Sequence, residues 1–413
     1  MTGDAPPPDD AAVTDTGGID VSTEVAVELQ GHCASEFEPV REELARNFAE
    51  RGEIGASVCI TLDGETVVDL WGGTADPTTG APWNEDTIAV VASSTKGATN
   101  LCAHVLASRG ELDMTAPVAD YWPEYAQAGK EDTLVWMLCA HQAGNAAIRT
   151  KLEPGDACNW DLMVDLLARQ EPFWKPGHRH GYHAATIGWL VGEVVRRVSG
   201  KSLGTYFREE IAEPLGLEFW IGLPEELEPK VAPNVHPEGG YQLGADAPEI
   251  DASTPLPLLV FGNLGTTDDT RAMHAAELGG GGGIANARGI ARMYRPLALG
   301  GSYDGFDLVD ADTLANMNRV ASAGWDASLG LYSRFTWGFY KTWPSQIVLS
   351  EESFGHLGAG GSTGFADPST GMSFAYVPNA MDMLLDTGRA QSVVDAAYRC
   401  AGYRTRAPGT WTR

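Results

Sequence analysis

Apolar residues recur at helical spacing early in the chain, with Phe37, Val40, Leu44 and Phe48 marking one face of a helix over Phe37 to Arg51. The period then shortens. Ala56 to Leu62 and Glu65 to Trp71 read as two strands joined at Asp63-Gly64, a hairpin signal. A further apolar run gives way to a helix ending near Ser108, where Ala98, Leu101, Cys102, Val105 and Leu106 repeat at i, i+3, i+4, i+7 and i+8. From Leu112 to about Leu217 the pattern stays helical, clearest at Leu134–Cys139, Trp160–Arg169, Thr186–Val198 and Leu203–Leu215. Glu218 to Ile284 differs: it is rich in Pro, Gly and acidic residues and ends in five glycines, Gly279 to Gly283. That composition predicts a mobile or ligand-shaping loop region. Ala287 to Leu299 is helical again. Phe335–Tyr340, Ser353–Leu357 and Gly371–Val377 follow as strands, the last two separated by a turn at Asp367 to Gly371. Ala390 to Ala401 closes the chain as a helix.

Strands at both ends around a helical middle imply an α+β fold, an α/β sandwich with an antiparallel sheet built from both chain ends and flanked by helices. The expected division is a disordered acidic leader over residues 1–24, a sheet lobe from 25–110 with 285–413, and an inserted helical lobe over 111–284 whose 218–284 segment is variable. A cleft between the lobes is where a site belongs.

Composition narrows the function. The 413 residues carry 43% hydrophobic and 20% charged side chains, the balance of a globular protein. Twenty-eight basic against 56 acidic residues leave a formal charge of −28, which argues against nucleic acid or anionic membrane as partners. The first residues lack the basic start and apolar core of a signal peptide, and no apolar run reaches the ~18 residues of a membrane span. Six scattered cysteines without a Cys-x-x-Cys pair suit a reduced, cytoplasmic protein.

The candidate chemistry starts at Ser93-Ser94-Thr95-Lys96, the one Ser-x-x-Lys in the chain. Three residues apart at a helix N-terminus, Ser93 and Lys96 share a face. The positive end of the helix dipole favours a developing alkoxide on Ser93 and a neutral Lys96 that accepts its proton. Such a pair needs a third group to pass the proton to a leaving alcohol or amine. Tyr182 stands on a loop before the Thr186 helix, flanked by Arg179, His180 and His183, neighbours that would lower its pKa. His356 ends a strand beside Gly355 and Gly358, where the backbone can approach a ligand closely. His178, His180 and His183 lie on one loop with Arg179 between them and no Cys or carboxylate cluster, so they are read as tuning Tyr182 and not as metal ligands.

Ser93-x-x-Lys96, Tyr182 after a Pro-Gly loop, and His356-Leu357-Gly358 resemble the three ordered motifs of the serine β-lactamase/penicillin-binding-protein superfamily, closest to its class C-like branch of family VIII carboxylesterases. Gly55 to Val58, Asp69 to Gly73, Met137 to Gly144 and Phe354 to Asn379 extend the resemblance over most of the chain from Phe37. It implies Ser93 as the acylated nucleophile and Lys96 with Tyr182 as its base network. It also implies an oxyanion hole of the Ser93 and Ala359 amides, and His356, Gly358 and His183 as substrate-binding residues. No metal or cofactor is called for. The partner is a small-molecule ester, most simply a short-chain one, and the oligomeric state is left open. Two departures bear on the substrate. The second motif, Tyr-x-Asn in β-lactamases, is Tyr182-His183-Ala184 here, and the lysine opening the third motif is replaced by His356. Both lean toward esters. A β-lactamase, D-amino-acid peptidase, amidase or acyltransferase is the alternative, and a catalytically silent binding protein a further one. Gly360-Gly361-Ser362-Thr363-Gly364 matches the Gly-x-Ser-x-Gly elbow of α/β-hydrolases, but a turn and strand follow it, not the helix that the elbow requires.

Overall fold

The computed structural model describes residues 27–236, 250, 251, 253–266, 269–342, 350–381, 388–407 and 410–412. The leader expected over 1–24 lies outside the described residues.

The hairpin forms where the alternation placed it. Strands β1 (Gln30–Cys33), β2 (Gly55–Leu62) and β3 (Glu65–Asp76) come from the N-terminal part. Asp63 and Gly64 both take positive φ, 49° and 89°, the twist that a two-residue hairpin turn demands. Strands β4 (Phe354–Leu357), β5 (Thr363–Asp367) and β6 (Met372–Pro378) come from the other end of the chain. The order across the main sheet is β1-β3-β2-β6-β5-β4, all antiparallel. The seam between the chain ends is β2 against β6, with Ile60 opposite Phe374 and Val58 opposite Tyr376. Both strands are buried over almost their whole length, which is why they read as near-continuous apolar runs.

Alternation divides the two faces. Val58, Ile60, Phe374 and Tyr376 meet helix α1 (Glu38–Glu50) and the C-terminal helix (Gly388–Cys400) through Val40, Leu44, Val393 and Tyr398. Cys59 and Ala375 point the other way, toward Ile290 and Tyr294 of the Ala287–Ala298 helix. That helix lies close on the sheet because β5 offers Gly364, where a Cβ would come 2.3 Å from Ile290.

Helix α2 (Thr95–Ser108) departs from expectation. The spacing predicts one buried face, yet every residue from Thr95 to Leu106 is buried. The helix runs between the sheet side and the helix Thr186–Ser199, so its small residues face neighbours all round. Gly97 has no room for a side chain: a Cβ there would lie 2.2 Å from the Tyr294 hydroxyl.

Three further differences have local causes. The strand expected over Phe335–Tyr340 ends at Phe335, as part of a short hairpin of Ser322–Trp325 with Tyr332–Phe335. Residues 336–339 turn, with the Phe339 amide donating to Thr336 Oγ1 at 3.1 Å and Gly338 at φ 114°, a conformation closed to other residues. The helix expected over Leu203–Leu215 is continuous but carries a wide π turn at Arg208–Ala212. The glycine run is not a mobile loop: Gly279, Gly280 and Gly283 are buried, and Gly283–Ala285 pairs with Ile88–Val90 and Phe219–Ile221 in a second small sheet. A Cβ on Gly280 would strike the Ala185 carbonyl at 2.4 Å, so glycine composition here reflects close packing. The six cysteines are free, and no described helix is long and apolar enough to cross a membrane.

Candidate active site

Ile88–Val90 leads into a single 3-10 turn, Ala92–Ser94, and then α2. Ala92 sits at φ 42°, a left-handed conformation that an alanine adopts only where its surroundings enforce it. Here Thr95 Oγ1 donates to the Ala92 carbonyl at 2.6 Å while accepting from the Gly283 amide at 2.8 Å. Ser93 follows, half-exposed, at the foot of the helix.

Lys96 Nζ lies 2.9 Å from Ser93 Oγ and donates to the Gly280 carbonyl. The side chain is fully buried, and among the described residues it forms no ion pair. Burial pushes its amine well below the ordinary lysine value. A neutral amine keeps one lone pair, so Lys96 can take the Ser93 proton.

Tyr182 stands on the other side. Its ring is 4.7 Å from Lys96 Nζ and stacks on Phe335 and Tyr340 at 6.1 and 5.9 Å. The expected lowering of its pKa is not found. Burial pushes the phenol up, and hydrogen bonding with Ser93 and Tyr340 offsets only part of that. The reason is plain in the loop: Arg179 is exposed, while burial holds His180 and His183 toward their neutral forms, so these three neighbours bring no cation to the phenol. Tyr182 is therefore a protonated phenol, able to donate.

His356 lies on β4, 1% exposed, with Nδ1 2.8 Å from the Leu357 carbonyl and its ring 6.3 Å from that of Tyr182. Burial depresses it well below the usual histidine range. His183 is wholly buried; its Nδ1 is 2.7 Å from the Gly181 carbonyl and its pKa is pushed down to about 4 by burial. Both imidazoles are thus near the pair but within the protein, not on an open cleft wall.

Gly358 presses directly on the serine turn. A Cβ there would fall 2.1 Å from Ser362 Oγ, 2.5 Å from the Val91 carbonyl and 3.2 Å from the Ser93 amide nitrogen. Ala359 is next in the chain and half-exposed. Ser362, the elbow look-alike, is 2% exposed; its hydroxyl donates to the Val91 carbonyl at 2.7 Å and lies 2.9 Å from Ser94 Oγ. Strand β5 follows it. It ties the third motif to the serine turn.

Four residues around the pair escaped the sequence reading as site residues. The Gly280 carbonyl holds Lys96, and His141 Nδ1 accepts from the His183 amide at 3.1 Å. Tyr340 stacks on Tyr182, and Asp326 accepts the Tyr182 amide. The glycine run was a visible signal with the wrong meaning attached, and His141 lay in a segment noted only for resemblance. Asp326 and Tyr340 carry no local signal.

The Beta-lactamase family profile matches residues 42–398. Esterase/beta-lactamase LipL of Mycobacterium tuberculosis is 33% identical over 385 residues, covering 90% of this chain and 87% of that protein. A crystal structure of a family VIII carboxylesterase superposes with TM-score 0.83 at 39% identity, over 90% of this chain and 100% of the other. A penicillin-binding protein homologue from Caulobacter crescentus superposes with TM-score 0.83 at 35% identity, over 90% and 100% of the two chains.

Proposed function

The chain belongs to the beta-lactamase family and is a hydrolase of it, and we propose that it cleaves carboxylic esters, most readily those of short acyl chains, through an acyl-Ser93 intermediate. The observation that carries this reading is the 2.9 Å contact of Ser93 Oγ with a buried lysine that forms no ion pair among the described residues. As the hydroxyl attacks the ester carbonyl, Lys96 takes its proton. The oxyanion is met by the Ser93 and Ala359 amides, a contribution on the order of a hundredfold in rate. Collapse breaks the ester C–O bond. Tyr182 gives its phenolic proton to the departing alkoxide and recovers one from the Lys96 ammonium, so the Ser93 proton ends on the alcohol. Water then attacks the acyl-serine as Lys96 takes its proton; collapse breaks the bond between the acyl carbon and Ser93 Oγ, Lys96 returns the proton to that oxygen, and the carboxylic acid leaves.

Esters are favoured over amides because Ala184 stands where the β-lactamase motif has asparagine, leaving no side-chain amide to hold a substrate amide. The family VIII carboxylesterase among the structural relatives points the same way. The test is hydrolysis of p-nitrophenyl butyrate beside nitrocefin, by the native protein, Ser93→Ala and Ser362→Ala. Ester turnover lost only in Ser93→Ala supports the reading. Faster turnover of nitrocefin than of the ester moves the activity to lactams, and ester turnover surviving in Ser93→Ala rejects the nucleophile.

A further inference from the structure

Asp326 is buried completely, 144 positions along the chain from Tyr182, and both of its oxygens lie against the Tyr182 backbone N–H, at 3.0 and 3.1 Å. Its other contacts are also donors. Oδ1 accepts from the Ser328 and Leu329 amides at 2.8 and 2.9 Å, and Oδ2 accepts from Ser333 Oγ at 2.9 Å. The partners are three backbone N–H groups and one hydroxyl, all neutral, and both oxygens accept. Among the described residues it forms no ion pair. A buried carboxylate served only by neutral donors is costly to hold, and turn formation alone does not require one. An asparagine or serine at the same place would cap the two local amides equally well.

The surroundings show what it holds. Asp326 opens the turn of the Ser322–Trp325/Tyr332–Phe335 hairpin, whose Trp325 and Tyr332 face solvent. The opposite face is stitched to the tyrosine loop at three points. Asp326 takes the Tyr182 amide, the Ala327 amide donates to the His180 carbonyl at 3.1 Å, and Ser333 Oγ lies 3.0 Å from His180 Nε2. Because Ser333 gives its own proton to Asp326, the bond to His180 is donated by the imidazole. The hydroxyl thus links loop and carboxylate in one direction.

We propose that Asp326 is a positioning residue of the candidate catalytic centre: from beneath the Tyr182 loop it fixes the phenol in register with Ser93 and holds it as a proton donor. The charge acts in that sense, since a negative group under the loop raises the cost of phenolate at Tyr182 and at the stacked Tyr340. The inference rests on the reading of Tyr182 as donor to the leaving alkoxide.

Leaving-group dependence tests it. p-Nitrophenolate departs without protonation, whereas an alkyl alkoxide needs the Tyr182 proton. In Asp326→Asn, with folding confirmed by thermal melting, kcat/KM for ethyl butyrate should fall on the order of a hundredfold, while that for p-nitrophenyl butyrate stays within about threefold. Equal losses on both esters, or no loss on either, overturn the role. Tyr182→Phe is measured alongside: a bias there with none in Asp326→Asn rejects Asp326 alone, and no bias in Tyr182→Phe rejects the reading beneath it. If Asp326→Asn does not fold, Ser333→Ala decides. It removes one donor from Oδ2 and the link to His180, and must show the same bias at roughly a tenth of the size; an unbiased Ser333→Ala overturns the proposal.

Discussion

Lys96 Nζ sits 2.9 Å from Ser93 Oγ and donates to the Gly280 carbonyl, and among the described residues it forms no ion pair. Burial alone sets its protonation, and it sets it toward the free amine. The Tyr182 phenol, pushed up by the same burial, has its ring 4.7 Å from that amine.

Replacing Lys96 by Arg puts a permanent cation where the buried amine stood and removes the proposed base, because a guanidinium does not lose its proton. We expect kcat on p-nitrophenyl butyrate to fall by roughly a hundredfold to ten-thousandfold. In the native protein the rate should rise with pH as Lys96 loses its proton, with the limb lying well below the ordinary lysine range because the amine is held there by burial. Steady-state rates from pH 5 to 10 check the position. A limb near the unperturbed lysine value contradicts it.

Ser362→Ala separates structure from chemistry. The hydroxyl serves the Val91 carbonyl and Ser94 Oγ, both buried. Its loss should cost about 1–2 kcal/mol in urea unfolding. The rate on p-nitrophenyl butyrate should stay within a few-fold of native, measured per folded molecule.

The fold was legible wherever one periodicity held for a whole element. The hairpin at Asp63-Gly64 and the Thr186–Ser199 helix announce themselves, since turn chemistry and helical spacing act locally. The exhaustive burial of α2 was not legible, because a sequence shows which face is apolar but not how many neighbours surround it. Gly338 hid the end of a strand in a run of aromatic residues whose β-propensity pointed the other way. At the candidate site, Ser93, Lys96, Tyr182, His356 and Gly358 stand together, but the direction of the Tyr182 shift depends on burial that neighbours in sequence do not reveal. Asp326 reaches Tyr182 across 144 positions, and nothing local in the sequence marks that distance.

Ala184→Asn restores the Tyr-x-Asn pattern at a half-exposed position. One added amide hydrogen bond is worth about 1 kcal/mol, so kcat/KM for nitrocefin relative to p-nitrophenyl butyrate should rise roughly fivefold to tenfold. An unchanged ratio shows that the missing asparagine does not set ester preference.

His274 gives a pH dependence away from the site. Its Nδ1 lies 2.8 Å from Glu228, and its other nitrogen meets Asp269. Burial alone would lower it, but the two carboxylates outweigh burial and raise it. A raised folded pKa stabilises fully below the unfolded value and is lost as pH climbs through the folded one. Amide exchange in 225–234 and 269–276 should therefore quicken as pH rises above about 6.5, beyond the intrinsic rate increase. His274→Gln should remove that extra dependence.

The most direct test of the acyl-serine claim is the mass of the protein quenched during turnover of p-nitrophenyl butyrate. One added butyryl group per chain is expected, mapped by fragmentation to Ser93 and absent in Ser93→Ala. A butyryl group on Ser362, or turnover by Ser93→Ala at the native rate, would contradict it.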